Sequence, residues 1–340
     1  MTHRPIGIGV IGLGNSGWYY HAQGTLERSE DFDLVAVSAR RPQRTAAGAR
    51  RFGTRGHDDW RDLVADDAVE VVVVATPHHL HAPMTLAALA AGKHVVVEKP
   101  MAATVAEAEA MQQAAEEHGR LLTVFQNRRW EPSFQIIREM VAAGEIGELW
   151  RCEERRMHRG PYTVAGTDRA HAGTEPAAWA HTLEGGGGVA RLIAPHLVDH
   201  QLLLHGGLPR TVAATMHRYP EDAVEHYADI RLVWGGGVES RVEVFRECDV
   251  DLPKWSVMGS RGTIVVNDFD AVRLVRGGEE VEVRSGLAPL QACDDFYAQL
   301  ARAVRDGAAP PVDPRGAADV VRVLEAARLS AAADGAPHRP

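Results

Sequence analysis

The sequence predicts two domains: an α/β domain built on a doubly wound parallel sheet, and an α+β domain with a large open antiparallel sheet. In residues 1–127, apolar runs of strand length alternate with helical patterns of about 10–15 residues, as in parallel sheets covered on both faces. In residues 128–340, strand patterns follow one another through glycine-rich turns, which indicates antiparallel pairing. We therefore predict a domain boundary at residue 127.

The predicted strands of the first domain are apolar along their whole length. They lie at Ile6–Ile11, Leu34–Val37, Val69–Val74, His94–Val97 and Leu121–Val124. Helical patterns occur between them near Trp18–Arg28, Ala82–Ala91 and Ala106–His118. Thr104, followed three residues later by Glu107, predicts a capping box at the start of the last of these helices.

The second domain begins with a predicted helix, Phe134–Ala143, that ends at Gly144. Strand patterns then occur at Leu149–Met157, Thr211–Arg218, Tyr227–Trp234, Val238–Phe245, Ser256–Met258 and Thr263–Val266. A single predicted helix over Gly188–Leu204 interrupts this series and carries His196. Two further helices are predicted at Cys293–Arg305 and Ala317–Ala332.

Composition excludes several classes of protein. The chain has 37 Lys+Arg against 46 Asp+Glu, so its net charge of −9 argues against nucleic-acid binding. Its longest apolar runs have strand length, far below the roughly 18 residues of a membrane span, and the N-terminus has no signal-peptide pattern. The three cysteines are widely separated, which argues against a disulfide framework or a thiolate zinc site. We expect a cytoplasmic protein without membrane or nucleic-acid partners.

A glycine-rich segment directly follows the first predicted strand and opens the first helical pattern. It reads Gly12-Leu13-Gly14-Asn15-Ser16-Gly17. In this context the three glycines are typical of a Rossmann dinucleotide site, where they allow a tight turn, close approach of a pyrophosphate and helix–strand packing. The alternative is a glycine turn that serves structure alone.

The end of the second strand bears on the choice of dinucleotide. NAD-binding domains usually place an acidic residue there to bind the ribose 2′-hydroxyl, and Ala39 lies near that position. Ser38, Arg40 and Arg41 instead suit a 2′-phosphate, because guanidinium groups are bidentate phosphate donors. We therefore predict NADP rather than NAD; the alternative is that both arginines are solvated loop charges.

A second group of candidates lies at the ends of later strands. Glu98 and Lys99, followed by Pro100, end a parallel strand at the edge where α/β sheets bind ligands. Lys99 near a cofactor ring would suit proton transfer, although on composition alone a surface lysine at a strand end is the better interpretation. His196 and His200 are one helical turn apart, but without an obvious third ligand we predict no metal site.

Taken together, these motifs resemble those of the Gfo/Idh/MocA oxidoreductases over nearly the whole chain. The resemblance rests on an ordered set: Gly12–Gly17, Ala75-Thr76-Pro77 with His81, Ala91–His94 leading to Glu98-Lys99-Pro100, Gln126–Trp130, and Pro195–Asp199 after a glycine-rich turn. Within the family, Tyr20-His21-Ala22 and Asn127–Trp130 are most similar to the branch of NADP-dependent scyllo-inositol dehydrogenases.

The resemblance implies hydride transfer between nicotinamide and a carbinol carbon of a sugar or cyclitol, by an NAD(P)-binding domain (1–127) and a substrate and oligomerisation domain (128–340). It implies that Lys99 and His196 are catalytic. Cofactor-binding residues would be Gly12, Leu13, Gly14, Asn15, Ser16, Gly17, Ser38, Arg40, Arg41, Thr76, Pro77, His81, Glu98 and Lys99. Substrate-binding residues would be Asn127, Arg128, His196 and Asp199. Since an uncovered sheet face would leave an apolar patch exposed, we also expect a homodimer or homotetramer.

One position departs from the family pattern. The family commonly has an aspartate four residues before the catalytic histidine, and this chain has Leu192 there. Glu184 or Asp168 are candidates to replace it. A positioned acid or base contributes roughly 10²–10⁴-fold to rate, so the alternative functions are a weakly catalytic dinucleotide-binding sensor or an enzyme that uses the cofactor transiently, such as an epimerase, a dehydratase or a glycoside-cleaving enzyme.

Overall fold

The computed structural model describes residues 4–157, 178–250, 252–268, 270–287 and 293–340. The strands in this part of the chain, β1 to β14, are Ile6–Ile11, Phe32–Ser38, Arg55–His57, Val71–Val74, His94–Val97, Leu122–Val124, Leu149–Met157, Thr211–His217, Tyr227–Val233, Glu239–Phe245, Trp255–Gly259, Thr263–Val266, Ala271–Arg276 and Glu279–Ser285. The α-helices, α1 to α9, are Pro42–Phe52, Trp60–Ala65, His81–Ala90, Val105–Glu117, Pro132–Ala142, Val189–Leu192, Ala194–His205, Asp294–Asp306 and Pro314–Ala332.

The chain divides into two compact units. Among the described residues, the first unit contains 4–127 and 293–318, and the second contains the remainder. The first unit holds a six-stranded sheet in the order β3-β2-β1-β4-β5-β6, with every neighbouring pair parallel. This is the strand order of a doubly wound dinucleotide-binding sheet, in which ligands bind where the order reverses, next to β1.

Sequence patterns explain most of the first unit. Every residue of β4 is a valine, and all four are fully buried, as strands covered on both faces require. The capping box at the start of α4 is present: the Thr104 hydroxyl accepts from the Glu107 N–H, and the Glu107 carboxylate accepts from the backbone of Thr104. The predicted α/β fold is confirmed.

The segment after the glycine loop differs from the prediction. Instead of one helix over Trp18–Arg28, the chain forms a seven-residue π-helix, Ser16–Ala22, and a 3-10 turn, Leu26–Arg28. Gly24 lies between them, where a Cβ would be 2.5 Å from the Tyr19 carbonyl oxygen. The chain therefore turns sharply at this glycine, and the helical pattern is divided.

The second unit is built on an eight-stranded sheet in the order β14-β13-β12-β11-β7-β10-β9-β8. All neighbours are antiparallel except β7 and β10, which run parallel at the centre. One face packs against helices. Helices α7 and α9 contribute to a core cluster over β8, β9 and β10, and α5 contributes to a second cluster over β11, β12 and β13.

The opposite face of this sheet is charged, so the expected apolar patch is wrong there. Arg155 of β7 pairs with Glu153 and, at 3.1 Å, with Glu243 of β10. Arg241 of β10 makes a 2.8 Å ion pair with Asp229 of β9. Because side chains alternate between the faces of a strand, the apolar residues of β9 and β10 point to the helices, and Glu153, Arg155, Asp229, Arg241 and Glu243 form a ladder on the other side.

The predicted helix over Gly188–Leu204 is two helices, α6 and α7, separated at Ile193. Ile193 has φ −126° and leaves helical geometry, and Pro195 occupies the first turn of α7. Proline lacks the N–H that a continuous helix needs, and its ring clashes with the carbonyl four residues earlier, here that of Arg191. The break thus follows from Pro195 and separates Leu192 from His196.

The edges of the second sheet have different neighbours. At one edge, Val212 of β8 pairs with His338 through two backbone hydrogen bonds of 2.8 Å. At the other edge lies β14, whose sequence alternates charged residues with valines. Among the described residues, no helix combines the length and apolar character needed to cross a bilayer.

Candidate active site

The glycine-rich loop follows β1 where the sheet order reverses. Gly12 has φ +97°, and a Cβ there would lie 2.2 Å from the Ala75 carbonyl oxygen. A Cβ on Gly17 would lie 1.8 Å from the Gly12 carbonyl oxygen, whereas a Cβ on Gly14 would meet no atom within 4 Å. Gly12 and Gly17 therefore allow the turn and the close packing, and Gly14 leaves room for a pyrophosphate against the backbone.

An arginine not predicted from the sequence supports this loop. The Nε of Arg44, on α1, donates to the Leu13 carbonyl oxygen at 2.9 Å. Its guanidinium carbon lies 3.9 Å from the centroid of the Trp18 ring. Burial lowers the pKa of Arg44, and the charge of Tyr19 opposes that shift. Arg44 was difficult to predict as a site residue, because helix α1, which carries it, was not itself predicted. Asn15, at the start of the π-helix, makes no side-chain cap there.

The carboxyl end of β2 lies beside the glycine loop and is followed by two arginines. Ser38 is buried, and its carbonyl oxygen accepts from the Gly12 N–H at 2.8 Å, which joins this strand end to the glycine loop. Thr45 Oγ1 holds the next residue, Ala39, through its N–H and its carbonyl at 3.1 Å each. Arg40 and Arg41 follow with exposed side chains. No carboxylate occurs from Ser38 to Arg41, and two guanidinium groups follow the strand.

Thr76 and His81 shape the ends of β4 and β5. His81 is fully buried; its Nε2 lies 3.0 Å from the Thr76 carbonyl oxygen and its Nδ1 lies 2.8 Å from that of Pro100. Burial lowers the pKa of His81 against the effect of these two contacts. The imidazole therefore joins the loop at Thr76 and Pro77 to the loop after Lys99. Within the described residues, the buried Thr76 Oγ1 has no hydrogen-bond partner, which fits a ligand contact at this point.

Glu98 links the glycine loop to Lys99. Its Oε1 accepts from the Ser16 hydroxyl and lies 3.2 Å from His21 Nε2, and its Oε2 accepts from the Lys99 backbone N–H at 3.1 Å. Burial would raise the pKa of Glu98, but the hydrogen bond from His21 and the charge of Lys99 outweigh burial and lower it. Glu98 is therefore a buried carboxylate beside a half-buried lysine.

Asn127 follows β6, at the edge of the first sheet where the other strands also end. Its side chain is buried, and its Nδ2 lies 3.8 Å from the Cys293 sulfur. Burial raises the pKa of Cys293 to about 12, so this thiol stays protonated. The first unit thus brings together the predicted residues that follow β1, β2, β4, β5 and β6.

In the second unit, helix α7 carries His196 and Asp199. His196 is buried, with 8% of its surface exposed. Asp199 is bound by Arg129, whose Nε and Nη2 donate to its two oxygens at 2.7 and 2.6 Å. Arg129 was not among the predicted site residues, although it adjoins Arg128 in the sequence. The bidentate pair fixes α7 one turn beyond His196.

His200 also holds α7 in place. Its Nε2 lies 3.0 Å from the Arg128 carbonyl oxygen, its Nδ1 lies 3.1 Å from Glu154 Oε1, and its ring stacks on Phe134 with centroids 3.9 Å apart. Both ring nitrogens are therefore engaged by protein oxygens, which argues against the alternative of a metal shared with His196. The Arg128 side chain, about one-third exposed, donates to the buried Glu131 at 3.1 Å.

Leu192 packs against the apolar cluster under β8, β9 and β10, as a core residue would. Of the two residues considered as replacements for the family aspartate, Glu184 is exposed on a turn. Asp168 lies outside the described residues.

Comparison with known proteins agrees with the architecture. Residues 6–126 match the oxidoreductase family with an NAD-binding Rossmann fold, and residues 134–265 match the GFO/IDH/MocA C-terminal domain. The scyllo-inositol 2-dehydrogenase (NADP(+)) of Bacillus subtilis is 27% identical, covering 96% of this chain and 93% of that protein. The inositol 2-dehydrogenase of Rubrobacter xylanophilus is 37% identical over 42% of this chain and 41% of its own length.

A solved structure shows the same fold. The NAD-binding protein from Listeria innocua superposes with a TM-score of 0.86 at 25% identity, covering 99% of this chain and 97% of that chain. The chain belongs to the Gfo/Idh/MocA family and is an NAD(P)-dependent oxidoreductase that acts on alcohol groups.

Proposed function

We propose that this protein transfers hydride between NADP(H) and a secondary alcohol or ketone of a sugar, cyclitol or related polyol. The observation that carries the proposal is the Glu98–Lys99 pair, which follows β5 and is tied through Ser16 to the glycine loop. This contact brings the lysine to the edge of the sheet where a nicotinamide binds. The names of the two inositol dehydrogenases support the substrate class.

The choice of NADP rests on the end of β2. Ser38 is buried next to Gly12, and Arg40 and Arg41 follow with exposed side chains. Two guanidinium groups favour a 2′-phosphate, and the acidic residue that would bind a free 2′-hydroxyl is replaced by Ala39. Because NADPH usually serves reduction in cells, ketone reduction is the proposed direction.

In the proposed mechanism, the bound nicotinamide supplies or accepts the hydride. The Lys99 ammonium donates a hydrogen bond to the substrate oxygen that reacts. Lys99 and His196 transfer the proton of that oxygen. In reduction a proton is delivered to the oxygen, and in oxidation it is removed. Asn127 and Arg128 contact the remaining substrate hydroxyls. Asp199 contributes through its ion pair with Arg129, which orients helix α7.

The first experiment is a fluorescence titration with NADPH and NADH, followed by assays of NADPH consumption with keto-sugars and inososes. We expect tighter NADPH binding and consumption of at least one ketone. Lys99→Met should abolish turnover and leave NADPH binding within about threefold of wild type. Lys254→Met is the matched control, since Lys254 contacts Asn267 and Asp268 in the second unit. Unchanged turnover in Lys99→Met would contradict the assignment.

Leu192 favours a second candidate function. Its partly buried side chain packs against the apolar core, at the position where the family has an aspartate close to the catalytic histidine. A dinucleotide-binding sensor, or an enzyme that oxidises and re-reduces its substrate in one cycle, would bind NADPH tightly and consume none. Tight binding without consumption across the panel would therefore favour these alternatives over the dehydrogenase.

A further inference from the structure

A buried hydrogen-bonded chain in the first unit ends at Glu98 and has no role in the mechanism above. Tyr297 of α8 lies with its hydroxyl 2.6 Å from His21 Nδ1, and His21 Nε2 lies 3.2 Å from Glu98 Oε1. The His21 side chain is fully buried and Tyr297 is 2% exposed. Phe125 covers the imidazole with ring centroids 4.2 Å apart. Water is therefore excluded from both of these contacts.

The chemistry of Tyr297, His21 and Glu98 determines which group donates and which accepts in each of these hydrogen bonds. Burial, with the charge of Glu98, raises the pKa of Tyr297 well above its usual value, so its hydroxyl keeps a proton that it can donate. Glu98 is ionised and accepts only. His21 with its proton on Nε2 satisfies both neighbours: Nδ1 accepts from Tyr297 and Nε2 donates to Glu98. The opposite tautomer would leave a ring lone pair facing the carboxylate.

We propose that His21 and Tyr297 are positioning residues that hold Glu98 as an oriented carboxylate between Ser16 of the cofactor loop and Lys99. This inference rests on the proposed function, because it gives Glu98 the task of fixing the catalytic lysine. Oε1 of Glu98 accepts from the Ser16 hydroxyl and faces His21 Nε2. Oε2 is therefore left to accept from the Lys99 backbone N–H. The charge of this carboxylate favours the ammonium form of Lys99, the form that donates to a substrate oxygen.

Several charged or titratable groups among the described residues interact with Glu98. They include His21, His81, Lys99, Cys293 and Tyr297. His81 is bound to two backbone carbonyls, and the raised pKa of Cys293 keeps that thiol neutral. Besides Lys99 itself, His21 is therefore the group that most stabilises the ionised form of Glu98. Removing the His21 side chain should raise the pKa of Glu98.

Three substitutions test the inference. His21→Leu removes the donor, His21→Gln keeps an N–H near the position of Nε2, and Tyr297→Phe removes only the hydroxyl. For His21→Leu we expect the acid limb of the kcat/KM profile to move up by at least one pH unit, with NADPH affinity within about threefold of wild type. His21→Gln should restore the wild-type profile, and Tyr297→Phe should lie between. If His21→Leu and His21→Gln lower kcat/KM equally and the acid limb does not shift, His21 acts through packing alone and the proposal is overturned.

Two measurements on the cofactor-free protein separate this inference from the proposed function. Nitrogen NMR of labelled histidine should show His21 as the neutral Nε2–H tautomer; an Nδ1–H tautomer would contradict the chain. Lysine acylation followed by mass spectrometry should show slower labelling of Lys99 in wild type than in His21→Leu, since an ammonium does not react. The chain has two other lysines, Lys93 and Lys254, which serve as internal references. Equal Lys99 labelling in both proteins would overturn the proposal even if turnover is absent.

Discussion

At the scale of single residues, Arg40 offers the sharpest test of cofactor choice. A 2′-phosphate carries the charge that distinguishes NADP from NAD, and Arg40 is exposed just beyond Ser38. We expect Arg40→Asp to weaken NADPH binding at least tenfold, about 1.4 kcal/mol, because attraction becomes repulsion. NADH binding should change less than threefold. Fluorescence titration of both cofactors is the measurement.

The control for this test is Arg50→Asp, which makes the same charge change on an exposed residue later in α1. It should leave both affinities near the wild-type values. If Arg40→Asp weakens the two cofactors equally, the arginine serves the dinucleotide in general and the NADP prediction fails.

Residues whose chemistry depends on local sequence could be predicted, and residues that meet across the fold could not. Gly12, Gly14 and Gly17 are recognisable because a strand, a turn and a helical segment are consecutive. His21 and Tyr297 are 276 positions apart, so no spacing pattern connects them. Their contact arises from tertiary packing of α8 in the first unit.

At the scale of secondary structure, the ion pair between Arg129 and Asp199 anchors helix α7. Removing one partner of a fully buried pair costs about 3–5 kcal/mol, and Arg129 is 16% exposed. We therefore expect Asp199→Asn to lower the free energy of unfolding by about 2–3 kcal/mol and to reduce kcat through His196. Urea unfolding and steady-state kinetics would measure both.

An exposed pair on α9 supplies the comparison. Asp319 and Arg322 are each about 30% exposed, so Asp319→Asn should cost no more than about 0.5 kcal/mol. If Asp199→Asn raises KM while stability is unchanged, Asp199 contacts substrate directly and the anchoring role is wrong.

Strand β14 is an element that the sequence patterns missed. It contains Glu279, Glu280, Glu282 and Arg284 beside two valines, and such charge density is unusual for a strand core. As an edge strand it needs only one partner and no apolar face. The strand predicted at Leu149–Met157 was correct although it is also charged.

For the whole molecule, we expect a homodimer or homotetramer formed through the charged face of the second sheet. The ladder of Arg155, Glu153, Glu243, Arg241 and Asp229 presents both signs of charge, so two copies related by a two-fold axis can match opposite charges. Light scattering at low salt should give two or four times the mass of one chain. At about 1 M salt, where screening extends to about 3 Å, self-association should weaken. A monomer at low salt would contradict this expectation.

The two edges of the second sheet also bear on how the protein avoids misassembly. An open edge strand presents unpaired backbone groups that can recruit a neighbouring chain into a growing aggregate. Here the backbone of β8 is occupied by His338, and β14 places carboxylates where an incoming strand would have to bury them. The sheet is thus protected from fibril-like growth by a covering segment on one side and by electrostatic repulsion on the other. Both protections are lost while the chain is still unfolded, so the vulnerable period is folding itself.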